Sequence, residues 1–266
     1  MSSLTTDAVP TTGELLARVR ELCPLLERNA AQGELDRRVT QESIEALTAA
    51  GLFKLAQPRR YGGYELPVRT QVEVFAAVAE ADGGAAWIVT LCNQCAWMVG
   101  LFPQRAQDDV WKDSPEAKIS GVVTPSSQSV KVDGGFVVNG RWYYNSGSWH
   151  SDWAVLGIPV VNEAGEAVDH GLALIPRTDL GFEETWFVAG MRSSGSNCLI
   201  AKDVFVPEHR IISAPQAWEG KVATEHTGEA LYRSAFTPVL ALGVAAPQLG
   251  MGRRVLALVQ EKAATK

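Results

Sequence analysis

The feature that most limits how this chain can fold is a change of period at Ser114-Pro115. Before it, apolar residues recur with helical spacing. After it, short alternating runs are separated by Gly, Asp, Asn and Pro, the pattern of strands and turns. Segregated blocks of helix and strand point to an α+β fold. The expected division is a helical domain over 1–115, a central β-barrel or sandwich domain over 116–215, and the start of a second helical domain over 216–266.

Within the first block, Leu15, Leu16, Val19, Leu22, Leu25 and Leu26 form a helical stripe over Glu14–Asn29, interrupted by Pro24. Thr40 suits an N-cap and Gly51 the residue past a C-cap. Thr70–Ala81 is amphipathic, and Pro103–Trp111 begins with a proline where a helix tolerates one. Between them, Gly84–Phe102 is apolar on all sides and nearly long enough to span a bilayer. Asn93 and Gln94 at its centre are costly in lipid, so a helix buried inside protein is expected instead.

In the second block the candidate strands are Ile119–Thr124, Val130–Val132, Gly135–Tyr144, Trp153–Val161, Gly171–Ile175, Phe182–Val188 and Asn197–Val206. Asp133-Gly134 and Asn139-Gly140 are hairpin-grade turn signals. A helical pattern resumes near Gly228, with Leu240, Val244, Leu249, Val255, Leu256 and Val259 recurring along it. That pattern still runs at Val259, and a lone apolar helix cannot bury its own face. The expectation is the front part of a longer protein.

Composition closes several routes. The 24 basic and 30 acidic residues are interspersed, giving a net charge of −6 and no basic stripe for nucleic acid. Residues 1–12 read as a flexible leader without the charged and apolar regions of a secretory signal. Four cysteines make no disulfide framework, and Cys92 and Cys95 inside an apolar helix read as core, not as metal ligands. A cytoplasmic protein without metal or membrane span is expected.

The stretch Phe136–Gly157, FVVNGRWYYNSGSWHSDWAVLG, concentrates the chemistry. Ser146, Ser148, His150 and Asp152 stand beside an aromatic wall. Apolar surface with a few placed donors suits a flat, conjugated ligand, although an edge hairpin with core tryptophans has the same composition. Strand alternation puts Trp142, Tyr144 and Ser146 on one face. His150 is a candidate base, with Asp152 to orient it, but reads more readily as structural support. Arg192, Ser193, Ser194 and Ser196 offer donors in a glycine-containing loop.

Three segments resemble the acyl-CoA dehydrogenase superfamily: YGGYEL at Tyr61–Leu66, GGFVVNGRWYYNSG, and GMRSSGSNCLIAKDVFVPEHRI at Gly190–Ile211. SGSWHSDWAVLG resembles the SG-x-x-H-x-D-W pattern of the flavin-dependent, two-component monooxygenase branch. GMRSSGSN resembles its G-x-R-G-T-G-S-N, with Ser193 and Ser194 where glycine and threonine are usual. VVTPSS at Val122–Ser127 lacks the acidic residues that the dehydrogenases carry there.

The resemblance implies a monooxygenase that takes reduced FMN or FAD from a separate flavin reductase, with molecular oxygen as co-substrate. A flavin hydroperoxide would hydroxylate or N-oxygenate a small aromatic or amino-containing metabolite, and the enzyme would be a homotetramer. It places Ser146 at the flavin N5–C4a edge, Thr124 at a second flavin-facing position, and Trp142 and Tyr144 along the ring. Ser146 and His150 become the catalytic candidates, and Asn93, Trp97, Arg192 and Ser194 the candidate substrate contacts. Relatives that hydroxylate phenols carry a histidine in the long apolar helix; LCNQCAW has none, which leans towards N-oxygenation. An acyl-CoA dehydrogenase-type oxidoreductase and a truncated, non-catalytic relative are the alternatives.

Overall fold

The computed structural model describes residues 9–265, so most of the expected leader lies outside the described residues. Helix α1 (Thr12–Asp36) begins at a capping box in which Thr11 and Glu14 satisfy each other's backbone N–H. It runs through Pro24 without interruption, because burial of Leu15, Val19 and Leu26 along one face outweighs one lost hydrogen bond. Thr40 caps α2 (Gln41–Ala49), and Gly51 follows at φ +76°.

Next come α3 (Val68–Ala81), α4 (Gly83–Val99) and α5 (Gln104–Trp111). Asp82 caps α4 by accepting from the N–H groups of Gly84 and Ala85. Along α4 only Gly83, Trp87 and Leu91 escape full burial, a stripe of one residue per turn.

Asn93 is fully buried and holds this layer together. Its Oδ1 accepts from Ala56 N–H at 3.1 Å, and its Nδ2 donates to the carbonyls of Leu52 and Val89, both at 2.8 Å. Asn93→Ala would orphan groups on two segments, so a loss of about 2–4 kcal/mol is expected in denaturant unfolding. A loss below about 0.5 kcal/mol would show that this bridge is dispensable.

The β region comprises β1 (Ile119–Val122), β2 (Ser127–Val132), β3 (Gly135–Asn145), β4 (Trp153–Val161), β5 (Ala167–Pro176), β6 (Gly181–Glu183), β7 (Asn197–Pro207) and β8 (Ile211–Ser213). They form two four-stranded sheets, ordered β1-β4-β5-β8 and β2-β3-β7-β6. Alternate residues from both, including Val138, Trp142, Leu156, Ile175 and Leu199, meet in one core. Among the described residues only β1 and β4 pair in parallel.

Two expectations fail here. Asn139-Gly140 is not a turn but an irregularity within β3, where Asn139 bonds Asp203 of β7. The β2–β3 turn is at Asp133-Gly134, with Gly134 at φ +72°. A Cβ at Gly140 would fall 2.4 Å from Ser127 Cβ, so glycine there serves close strand approach, not turning. The expected strand Phe182–Val188 is limited to β6, because Asn197 Oδ1 accepts from the N–H groups of Thr185 and Trp186 and bends the chain away.

A short α6 (Ala214–Trp218) leads to α7 (Phe236–Ala264), which packs on α3 and α4. At Gly250 an added Cβ would lie 2.0 Å from the Ala76 carbonyl oxygen, so these backbones nearly touch. Farther on, Val255, Leu256 and Val259 are about 60 % exposed. Among the described residues no helix is long and apolar enough to cross a membrane.

Candidate active site

Strands β3 and β7 are antiparallel, with Asn145 opposite Asn197, so Ser146 just past one strand meets Ser196 just before the other. Their Oγ atoms are 2.7 Å apart, and Ser194 Oγ lies 2.8 Å beyond Ser196 Oγ. The indole Nε1–H of Trp87, on the half-open stripe of α4, donates to Ser146 Oγ at 3.0 Å. All three serines are buried.

The loop carrying Ser194 and Ser196 is wedged between the helical layer and the β region. Met191 and Gly195 take left-handed conformations (φ +51° and +53°) around one 3₁₀ turn at Arg192–Ser194. Ser193 N–H donates to Glu34 of α1, and a Cβ at Gly84 of α4 would fall 1.9 Å from Ser193 Oγ. Thus α1 and α4 both fix the loop's position.

The expected alternation of Trp142, Tyr144 and Ser146 does not hold. Between Trp142 and Asn145 the register against β7 shifts, and Tyr144 adopts φ +63°. Trp142 therefore points into the β core, fully buried, with Nε1–H donating to the Gly157 carbonyl at 2.9 Å. It has no face left for a cofactor. Tyr144 turns outwards, 73 % exposed, edge-on to Trp186 at 6.1 Å. Thr124 is exposed at the end of β1.

Asn93 and Trp97 also leave the substrate set. Asn93 is saturated by backbone groups, and Trp97 is buried with its Nε1–H on the Leu231 carbonyl. Arg192 makes no side-chain hydrogen bond among the described residues and Ser194 joins the serine chain, so both remain candidates.

His150 is half-buried and its Nε2 has no partner among the described residues. Burial, reinforced by the charges of Lys118 and Arg38, pushes its pKa from 6.5 down to about 4. Asp152 does not orient it, accepting the Lys118 N–H instead. Between pH 4 and 6.5 the unfolded chain holds the extra proton, so stability rises with pH across that window. Acidifying from about pH 6.5 to about 4 should cost the wild type up to about 3 kcal/mol more than His150→Phe, measured by urea unfolding of both. Equal pH slopes would refute this account.

Among the described residues, further buried polar atoms near the same loops lack partners: both amide atoms of Asn145, Ser148 Oγ and Ser193 Oγ. Unpaired buried groups are costly and mark where a ligand or water completes the set. A surface cleft of about 430 Å³, lined by Asp109, Asp152, Trp153 and Arg177, contains none of the catalytic, cofactor or substrate candidates, only Asp152, the expected partner of His150. Its Asp109 is already paired with His209 and Arg210. Trp87 was missed by sequence reasoning because α4 is apolar all round and offers no phase to read.

The fold is a helical layer packed on a two-sheet β region, and comparison with known proteins supplies the family. Residues 13–112 match the family model "Acyl-CoA dehydrogenase, N-terminal domain". The chain belongs to the acyl-CoA dehydrogenase superfamily, in its flavin-dependent monooxygenase branch.

Over 244 residues it is 35 % identical to the flavin-dependent monooxygenase oxygenase subunit HsaA of Mycobacterium tuberculosis, covering 89 % of this chain and 60 % of that protein. A crystal structure of the M. tuberculosis HsaA monooxygenase superposes with TM-score 0.91 at 33 % identity, covering 96 % of this chain and 67 % of that one. The p-hydroxyphenylacetate 3-hydroxylase oxygenase component of Acinetobacter baumannii is 30 % identical over 250 residues, 93 % of this chain and 59 % of that protein. XiaF from Streptomyces, solved with FADH2 and glycerol, superposes with TM-score 0.90 at 34 % identity, covering 96 % of this chain and 64 % of that one. The chain spans about 60 % of the length of these curated relatives.

Proposed function

We propose that this protein is the oxygenase component of a two-component monooxygenase, using reduced FMN or FAD from a separate reductase, and molecular oxygen, to hydroxylate a small aromatic metabolite. The observation that carries the reading is the buried Ser146 hydroxyl, held by Trp87 and Ser196 beside the outward-turned Tyr144. The residues fit a flavin: exposed aromatic surface at Tyr144 beside the half-buried Trp186, a hydroxyl with one hydrogen-bonding capacity left, and unpartnered buried amide and hydroxyl atoms nearby. When bound, the flavin supplies oxygen activation. The chain's residues supply the rest.

In this reading Ser146 holds a hydrogen bond at the flavin edge, Tyr144 and Trp186 cover the ring, and Thr124 contributes a second hydroxyl. Arg192 and Ser194 orient the substrate, or Arg192 meets a cofactor phosphate through its fork. His150, its pKa pushed down to about 4 by burial, is too weak a base for the role the sequence offered it and supports the loop. The lean towards N-oxygenation rested on the absence of a histidine from LCNQCAW, where the Asn93 and Gln94 amides are committed to backbone carbonyls of Leu52, Val89 and Leu240. With a p-hydroxyphenylacetate hydroxylase among the relatives, carbon hydroxylation is the primary reading.

Assembly as a homotetramer is part of the proposal, supported by the exposed Leu242, Leu249, Val255, Leu256 and Val259 of α7. Four free cysteines suit a cytoplasmic setting. The test is isotope-labelled oxygen, with reduced flavin supplied by an added reductase, against a panel of phenols and amines. Label in a phenolic product supports the reading, and label only in amine products overturns the choice of carbon. Unaided flavin reduction by NAD(P)H, or acyl-CoA oxidation without label, overturns it altogether.

A further inference from the structure

We propose that Trp87 and Ser196 are positioning residues that set, and allow to reverse, the direction in which the Ser146 hydroxyl hydrogen-bonds. The inference rests on the flavin-site reading above and deepens it. Hydrogen-bond counting carries it. A serine hydroxyl has one proton and two lone pairs, whereas an indole N–H only donates. Trp87 Nε1–H therefore occupies one lone pair of Ser146 permanently. Ser196, at 2.7 Å, takes either the second lone pair or the proton. One capacity always remains for a ligand, and Ser196 decides which.

Ser194 makes the choice reversible. If Ser194 donates to Ser196 and Ser196 to Ser146, the Ser146 proton is free to donate outwards. If every hydroxyl rotates, Ser146 donates to Ser196, Ser196 donates to Ser194, and Ser146 keeps a lone pair free to accept. Two hydrogen bonds exchange donor and acceptor, no covalent bond breaks and no net charge moves. A site that must first meet a ring N–H acceptor-wise and later offer a proton gains both from one side chain. Without Trp87, Ser146 could turn both lone pairs and its proton to any neighbour, and the outward direction would be undefined.

The scaffold suits this role. Trp87 sits on α4, a helix capped by Asp82 and buried on nearly all sides, so its indole is held from a rigid element. Ser194 and Ser196 flank Gly195, and Gly147 N–H donates to the Ser194 carbonyl, which ties the two loops together. Trp87 and Ser146 thus couple the helical layer to the β region at the site itself.

The test uses the full-length protein labelled with 5-fluorotryptophan. In flavin-free protein, the Trp87 fluorine resonance, assigned by its loss in Trp87→Phe, is expected to shift in Ser146→Ala and Ser196→Ala. With reduced flavin supplied, Trp87→Phe and Ser196→Ala are each expected to raise hydrogen peroxide relative to product about tenfold, the weight of one hydrogen bond. Reduced-flavin affinity should change less than about threefold, since the ring's contacts remain. An unshifted fluorine signal in both serine variants overturns the network. A shifted signal with unchanged peroxide yield overturns the positioning role. If the serine variants show the shift but the wild-type protein neither binds reduced flavin nor consumes oxygen, the flavin reading is overturned, and this proposal with it.

Discussion

Ser146→Ala is expected to divert oxygen from product to hydrogen peroxide, raising the peroxide-to-product ratio at least tenfold while reduced flavin still binds. Two effects combine. The alanine removes the hydroxyl that Trp87 of α4 and Ser196 of the β7-side loop both hold. It also leaves the Trp87 N–H without its acceptor in a half-buried place, where an unmet donor costs about 1–3 kcal/mol. The variant should therefore also unfold at lower denaturant concentration, by about 1–2 kcal/mol. Peroxide release and labelled-product yield, measured together at saturating reduced flavin, check the first effect. An unchanged ratio would return this loop to a purely structural role, with the stability loss as its remaining consequence.

Gly157→Ala is expected to be the most damaging single methyl in the β region. A Cβ there would lie 2.1 Å from the Val123 carbonyl oxygen and 2.7 Å from the Thr124 carbonyl carbon, both backbone atoms that cannot rotate aside. The same residue's carbonyl accepts the Trp142 indole N–H in the core. Relief requires the end of β1 to move, carrying Thr124 with it. Overpacking of this kind costs about 3 kcal/mol. Urea midpoints should show it, with Gly228→Ala, where an added methyl meets open space, as a control near zero. A midpoint unchanged by Gly157→Ala would mean that β1 yields freely at this point. Such yielding would count against a fixed Thr124 at the site.

Local signals were legible where their physics is local. Thr40 and Gly51 bracket α2 as caps should, and Asp133-Gly134 turns β2 into β3. The pairing of β3 with β7 places the two serine-rich segments together, and both segments had been singled out from sequence. Asn139-Gly140 misled, because the same dipeptide serves a hairpin turn and an in-strand irregularity. Which one forms depends on whether a partner such as Asp203 stands opposite.

Alternation failed for a related reason. Trp142, Tyr144 and Ser146 share a face only while the strand stays regular, and the left-handed Tyr144 opposite β7 reverses that outcome. Asn93 likewise reads as an available amide until its three backbone partners are known.

By itself, the sequence determined the class: two periods, their boundary near Ser114-Pro115, and family segments specific enough to name a flavin-dependent branch. Tertiary structure alone decided which aromatic ring is core and which faces outwards, and which group holds Ser146. Periodicity and caps act over a few residues, so they are written in order along the chain. The bond from Trp87 to Ser146 joins residues 59 apart, and an α4 apolar on all sides gives no hint of which face meets the β region. Only packing, which buries every other side of that helix, leaves Trp87 pointing at the serine.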